Sequence, residues 1–214
     1  MAIDYTRTAQ LFGEDFVKLR NAKVLLLGVG GVGSFALDCL YKSGVNDITV
    51  VDFDRYDTTN TNRQLHSEAH IGEVKVAALQ KYYPLVTPIE AKVDGEWIAR
   101  FDFTPYDVIL DAIDDIGAKL ALAQKEHKKL ISAMGAAKRI DPTRIRVDSI
   151  WNTQGDAFAA KIRYELKKRG FKKKYRAVFS DEQPRIKEKG SYMGVTAAFG
   201  LVLASEAIKK IMLK

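Results

Sequence analysis

Residues 24–33 read VLLLGVGGVG, and the fold follows from this stretch. The apolar run over Lys23–Gly28 reads as a buried strand of a parallel sheet, because a strand covered on both faces shows no polar alternation. Gly28, Gly30, Gly31 and Gly33 then occupy a strand-to-helix turn. Without a Cβ the backbone can come close to a phosphate, and the helix that follows offers unpaired N–H groups at its N-terminus. A glycine pattern of this type is weak on its own. Here it leaves a strand and opens a helix at about 32–43 (VGSFALDCLYKS), stopped by Gly44, which is the context the nucleotide motif requires.

Outward from this turn, ITVVDFD at 48–54 reads as the second strand. Asp52 and Asp54 close it about 20 residues beyond the glycines, the spacing of an acid placed on ribose hydroxyls. These features imply an adenosine nucleotide and leave a dinucleotide and ATP both open. Residues 60–64, NTNRQ, and the later Lys75 separate the two. A hydride-transfer site has no need of an arginine, a glutamine and a lysine just after its ribose acid, whereas a triphosphate does. Arg63 is a planar fork suited to phosphate and Lys75 a mobile point charge; with Asn62 and Gln64 they would neutralise charge on a leaving pyrophosphate. Taken singly, Arg63 reads equally as a surface-loop arginine and Lys75 as a solvated helix residue.

The remaining pattern alternates strand and helix. A leading helix is expected at 8–20, a helix at 70–84 closed by Pro84, and a short third strand at Ala91–Val93. A strand at 106–113, a helix at 116–128 and a strand at 129–134 continue the rhythm. This predicts an α/β fold: a Rossmann-like, doubly wound, mostly parallel sheet with helices on both faces. Past Pro142 the pattern changes to an alternating strand at Arg144–Ile150, an amphipathic helix at 156–169, a strand and turn in AVFSDEQP, and a long apolar helix at 194–213. The expected organisation is one domain over 1–214, with a nucleotide-binding core at 8–140 and a C-terminal part at 141–214 that adds antiparallel strand and the final apolar helix.

Composition narrows the function classes. The 214 residues are 47% hydrophobic and 29% charged, ordinary for a globular protein with a full core. The net charge of +7 suits a polyanionic partner, although mild basicity is also common in enzymes. One cysteine, Cys39, permits no internal disulfide and no cysteine metal cage, and it reads as a packing residue among Leu37, Leu40 and Tyr41. His66, His70 and His127 lack metal-ligand spacing. No apolar run reaches the roughly 18 residues of a membrane span, since Glu206, Lys209 and Lys210 interrupt the last helix. With no signal-peptide core at the start, a cytoplasmic protein without membrane attachment is expected. The stretch LKKRGFKKKYR at 166–176 carries seven basic residues and no acid. Lys167, Lys168, Arg169, Lys172, Lys173, Lys174 and Arg176 suit a phosphate backbone, with Phe171 and Tyr175 available for base stacking; a solvated helix end is the other reading. Arg139, Arg144 and Arg146 add positive charge.

The segments LLLGVGGVGS, VVDFDRYDTTNTNRQLH, DVILDAIDDIGAK, GAAKRIDPTRIRV and GSYMGVTAAFGLVLASEAIKK carry a resemblance to a known family. Across roughly 8–150 and 176–212 the chain resembles the ThiF/MoeB/HesA superfamily of ATP-dependent adenylating enzymes. Within it the chain is most similar to the tRNA threonylcarbamoyladenosine dehydratases. The resemblance implies that Asp54 binds the ribose of ATP, that Asn62, Arg63 and Gln64 lie along the phosphates, and that Lys75 contacts the phosphates or the reacting carboxylate. It implies that Asp114 holds Mg²⁺. A strand ending in consecutive carboxylates at the sheet's C-terminal edge suits a hard cation, while Asp115 better fits a helix N-terminal acid and Asp111 a supporting position. Arg63, Lys75 and Asp114 are thus the expected catalytic residues.

The same resemblance implies a homodimer in which an N-terminal arginine, Arg7 in preference to Arg20, reaches the partner's site. It implies a tRNA bearing threonylcarbamoyladenosine as substrate, with room for a sulfur-relay partner. The GSYMG loop at 190–194 would take substrate or a monovalent cation, or else cap the final helix at Gly190–Ser191. The implied reaction is activation of the threonylcarbamoyl carboxylate by ATP, followed by internal ring closure. The alternative is activation of the C-terminus of a small ubiquitin-like sulfur carrier; the missing zinc cysteines and the basic stretch weigh against it.

Overall fold

The structure, a computed structural model, describes residues 3–188 and 190–214. Its strands are Lys23–Leu27 (β1), Asp47–Val51 (β2), Val86–Ile89 (β3), Val108–Asp111 (β4), Leu130–Ala133 (β5), Ile145–Ser149 (β6) and Arg176–Ser180 (β7). Its helices are Thr6–Phe12 (α1), Asp15–Asn21 (α2), Gly33–Lys42 (α3), Lys75–Gln80 (α4), Gly95–Arg100 (α5), Ile116–Glu126 (α6), Ala157–Lys168 (α7) and Met193–Met212 (α8).

Among the described residues the seven strands form one sheet in the order β3-β2-β1-β4-β5-β7-β6. All neighbours are parallel except β6 and β7, which pair antiparallel from Ile145↔Ser180 to Ser149↔Arg176. From β1 the chain winds outward first through β2 and β3, then returns to β4 and β5 on the other side. The reversal leaves a crevice outside the C-terminal ends of β1 and β4, where a doubly wound sheet places its ligand.

Strand alternation sends residues to two cores. Val24 and Leu26 pack with Leu37, Leu40, Phe199 and Leu203 under α3 and α8. Leu25 and Leu27 pack on the opposite face with Ile98, Leu120, Leu122 and Ile162 under α5, α6 and α7. Among the described residues no helix is long and apolar enough to cross a membrane.

Four expectations are corrected. The leading helix is two, broken at Gly13, whose φ of 55° ends α1. The third strand is Val86–Ile89 instead of 91–93; Pro88 masks it in the sequence, and it is tolerated because β3 is an edge strand. The helix at 70–84 shrinks to Lys75–Gln80, because Gly72 turns at φ 85° and Val74 is held extended in a bridge to Arg55. Gly95–Arg100 forms an additional helix, with Asp94 accepting the Trp97 N–H at its start. The strand in AVFSDEQP, in contrast, is present and interior: β7 lies between β5 and β6 and four of its five residues are buried.

Candidate active site

A cavity of about 660 Å³ opens over the C-terminal ends of β1, β2, β4 and β5. Gly28, Gly30 and Gly31 form its floor. Gly28 sits at φ 85°, a left-handed conformation that favours glycine. Gly33 lies off the lining, in the first turn of α3. A Cβ there would overlap the Gly28 carbonyl oxygen, so the helix approaches the strand end only because this residue is glycine.

The acidic strand end divides into two roles. Asp52 is 8% exposed and spends both oxygens on backbone: Val29 N–H donates to Oδ2 and Asp54 N–H to Oδ1, each at 2.8 Å. Burial raises its pKa, against the pull of those two N–H groups and of Lys75. Asp52 therefore braces the glycine turn. Asp54 is half exposed, and Lys75 Nζ lies 3.0 Å from its Oδ2.

The cluster after β2 is built on a single 3₁₀ turn, Thr58–Asn60, capped by Asp57. Asp57 accepts the Thr59 N–H, and Asn60 Oδ1 accepts the Asp57 N–H at 3.1 Å. This orients Asn60 and Arg63, three residues apart, onto the cavity wall together with Gln64 and Lys75. Asn60 takes the place expected of Asn62, which is exposed, off the lining, and bonded through its Oδ1 to Arg63 Nη1 at 2.9 Å. The signal for Asn60 lies within the same NTNRQ run, two residues earlier. Gln64 is buried, and its Oε1 has no hydrogen-bond partner among the described residues.

On the far side, β4 ends in the run Asp111–Asp115. Asp111 is fully buried, held by Lys119 Nζ at 2.8 Å and by the Ser132 hydroxyl at 2.5 Å. Lys119 also donates to the Ala133 carbonyl at 2.8 Å, tying β4, β5 and α6 beneath the cavity. Asp115 caps α6 by accepting the Ala118 N–H at 2.7 Å. Asp114 is exposed on the cavity wall and makes no hydrogen bond or ion pair among the described residues. No group of three or more His, Cys, Asp or Glu side chains is arranged to hold a metal among the described residues. A single free carboxylate fits Mg²⁺ carried on nucleotide phosphates, which is bound through one or two carboxylates and otherwise by phosphate and water.

Further residues of the wall escape the sequence reading. Met134–Ala137 and Phe158 close the side toward β5, and Phe53, 51% exposed between the two acids, forms a lip with Lys92 Nζ 6.0 Å from its ring centre. Ser191 lines the cavity and does not cap α8, whose N-cap is Tyr192 without a side-chain bond. Arg139, counted with the positive charge near the basic stretch, is buried: its Nε donates to the Glu182 carbonyl at 2.9 Å and its Nη2 lies 3.4 Å from Asp156. Arg144 and Arg146 both pair with Asp181. Arg7 is exposed on α1 and away from the cavity lining of its own chain.

The basic stretch lies elsewhere. Lys167, Lys168 and Arg169 end α7, exposed and outside any cavity described here. Lys172, Lys173, Lys174 and Arg176 line a separate groove at the N-terminal ends of β5 and β7, the opposite edge of the sheet. The aromatics do not serve as stacking platforms: Tyr175 is 4% exposed and Phe171 packs on the core, because both fill the space under α6 and α7.

Fold and site together define a doubly wound nucleotide-binding protein whose cavity is lined on one side by cationic and amide groups. The chain belongs to the ThiF family, whose model matches residues 5–214. It is 37% identical over 197 residues to the tRNA threonylcarbamoyladenosine dehydratase of Bacillus subtilis, covering 87% of this chain and 78% of that one. The crystal structure of the Escherichia coli tRNA N6-threonylcarbamoyladenosine dehydratase in complex with ATP superposes with a TM-score of 0.91 at 33% identity, covering 100% of this chain and 98% of that one. The Escherichia coli molybdopterin-synthase adenylyltransferase matches over less, 34% identical across 64% of this chain and 59% of its own.

Proposed function

We propose that this chain catalyses the ATP-dependent dehydration of the threonylcarbamoyl group on a tRNA adenosine. The observation that carries the reading is the match along the full chain to an ATP-bound dehydratase, joined to a cavity whose wall sets Arg63, Gln64 and Lys75 opposite a free carboxylate, Asp114. A carboxylate oxygen of the substrate attacks the α-phosphorus of ATP and pyrophosphate leaves. A nitrogen or oxygen of the neighbouring carbamoyl group then attacks the activated carbonyl and AMP departs with the former carboxylate oxygen. The net change is loss of one water, and no protein nucleophile is needed. Cys39 could not readily act as one: it sits on α3 against the core, and burial raises its thiol pKa.

In this reading the glycine turn and the α3 N-terminus hold phosphate oxygens. Asp54 takes the ribose hydroxyls, which releases Lys75 toward the phosphates. Arg63 and Gln64 line the triphosphate with Asn60, and Asp114 would hold Mg²⁺, which would supply positive charge beside the phosphates. The protein's contribution is position and preorganised charge. A homodimer in which Arg7 enters the partner's cavity, a monovalent cation near Ser191, a sulfur-relay partner and a cytoplasmic setting belong to the same proposal.

The test is mass spectrometry of nucleosides from tRNA carrying threonylcarbamoyladenosine after incubation with the protein, Mg²⁺ and ATP under mild handling. The expected outcome is the mass loss of one water, abolished by Arg63→Ala. No mass change, with ATP–pyrophosphate exchange appearing only on addition of a small carrier protein ending in Gly-Gly, would instead assign carrier activation.

A further inference from the structure

The groove at the N-terminal edge of the sheet has a volume of about 1280 Å³. It lies between the end of α6, the segment leading into β7, and the end of α8. Eight lysines and arginines line it against two acids, Asp148 and Glu206. Glu206 is already shared by Lys209 at 2.7 Å and Arg176 at 3.3 Å, and Lys214 pairs with Asp107 at 2.8 Å. Lys128, Lys172, Lys173 and Lys174 have no acidic partner among the described residues. Burial and the charges of Lys214 and Arg176 hold Lys210 below the usual lysine pKa, so like charges are crowded here.

The loop that presents the three consecutive lysines is fixed in place. Trp151 Nε1 donates to the Lys173 carbonyl at 2.7 Å and Ile150 N–H to the Tyr175 carbonyl at 3.0 Å. Phe171 packs against His127 with ring centres 5.9 Å apart. The aromatics face inward and the lysines outward, so what the groove offers is point charge. Lysines follow a chain of phosphates without demanding a fixed geometry. A protein partner would be met by aromatic and arginine anchors; here Tyr175 is buried, Phe171 and Trp151 pack half-buried against the core, and Arg176 is drawn to Glu206 at 3.3 Å.

We propose that this groove binds the phosphodiester backbone of the substrate RNA at a distance from the nucleotide being modified. The proposal rests on the tRNA reading above. The four-residue β5 alone separates groove from ATP cavity by about 13 Å at roughly 3.3 Å per residue, so an RNA seated on both meets the groove with backbone that lies outside the reacting nucleotide.

The experiment compares two exposed triple variants of equal charge loss, K172A/K173A/K174A in the groove and K167A/K168A/R169A on α7. Binding of unmodified full-length tRNA is measured across salt concentrations. The groove variant should bind at least tenfold more weakly near 0.15 M salt, and its plot of log K against log salt should flatten by about 2–3. The α7 variant should keep both values. Equal losses in the two variants, or no loss in either, overturn the proposal; so does unchanged RNA binding with loss of affinity for an acidic protein. The reaction is read separately, as dehydration of a short hairpin carrying threonylcarbamoyladenosine. The α7 variant should process the hairpin at the unaltered rate. A hairpin that the unaltered protein leaves intact counts against the reaction, and the binding comparison still decides the groove.

Discussion

Lys75 Nζ lies 3.0 Å from Asp54 Oδ2, yet the two side chains differ in environment: Lys75 is 6% exposed and Asp54 48%. The pair joins the first residue of α4 to the acid beyond β2 and holds Lys75 beside the cavity. Because one partner is in water, the pair contributes little to stability. Its loss should be read in chemistry. Lys75→Met keeps the buried stem and removes the charge, so ATP–pyrophosphate exchange should fall about 10²–10³-fold, with the unfolding midpoint nearly unchanged. Asp54→Asn should weaken ATP binding about 10–100-fold, the worth of a charged hydrogen bond. Isothermal titration with ATP and an exchange assay separate the two effects.

Asp114 is exposed and makes no bond among the described residues, so its replacement should leave the fold intact to within about 0.5 kcal/mol. Asp114→Asn should nevertheless lower exchange at least about 100-fold and shift the Mg²⁺ concentration needed for half-maximal rate upward. A Mg²⁺ titration of the variant that overlays the unaltered protein would remove Asp114 from the metal site.

Gly33 and Gly28 meet where α3 leans on the end of β1. A Cβ at Gly33 would overlap the Gly28 carbonyl oxygen, a backbone atom with no room to retreat. Gly33→Ala should cost about 3 kcal/mol or more, the upper end of overpacking, and should widen the phosphate turn enough to lose ATP. Gly95, with nothing within 4 Å of its would-be Cβ, provides the contrast. Gly95→Ala should be neutral or stabilise by about 0.4–1 kcal/mol. Urea unfolding of both variants tests the pair.

The parts of this site that are legible in the sequence are those written locally. The glycine turn, the acid pair and the NTNRQ run each declare themselves within a few residues, because a strand end, a turn and a helix start are set by neighbours. Phase is harder to read. Asn60 faces the cavity and Asn62 does not, because Asp57 closes a 3₁₀ turn whose start the sequence leaves ambiguous. Long-range placement is hardest. The side of the sheet that receives Lys172–Lys174 depends on β7 entering parallel beside β5, and the burial of Arg139 depends on Asp156 and Glu182 arriving from other elements. Neither contact leaves a periodic trace.

Asp52 gives a pH dependence with a definite sign. Burial raises its folded pKa above the ordinary aspartate range. A carboxyl group raised in this way contributes stability that is fully present below its unfolded pKa and is lost as pH rises through the folded value. The stability of the protein relative to Asp52→Asn should therefore decline as pH is raised from below the aspartate range toward neutrality. Urea unfolding of both proteins at a series of pH values measures the gap. A gap that widens with pH would mean that the Val29 and Asp54 N–H groups outweigh burial.

Asp111 and Lys119 lie beneath the cavity with side chains 0% and 1% exposed, 2.8 Å apart. Desolvating both charges is costly, so the pair as a whole is a poor source of stability compared with apolar packing. Breaking it is another matter. Lys119→Met would leave the Asp111 carboxylate in the interior with only the Ser132 hydroxyl and the Ile113 N–H to solvate it. That loss should be about 3–5 kcal/mol. Asn at 111 keeps an acceptor for the Ile113 N–H, can donate its amide to the Ser132 hydroxyl oxygen and carries no charge, so D111N/K119M should recover most of the stability lost by K119M. The Ala133 carbonyl would still lack its lysine in the double variant, and Ala133 lines the cavity. ATP affinity should therefore stay reduced in the double variant when stability has returned. A double-mutant cycle by urea unfolding, with ATP titration of each variant, separates the two consequences. Additive stability losses would mean that the carboxylate and the ammonium do not act as a pair.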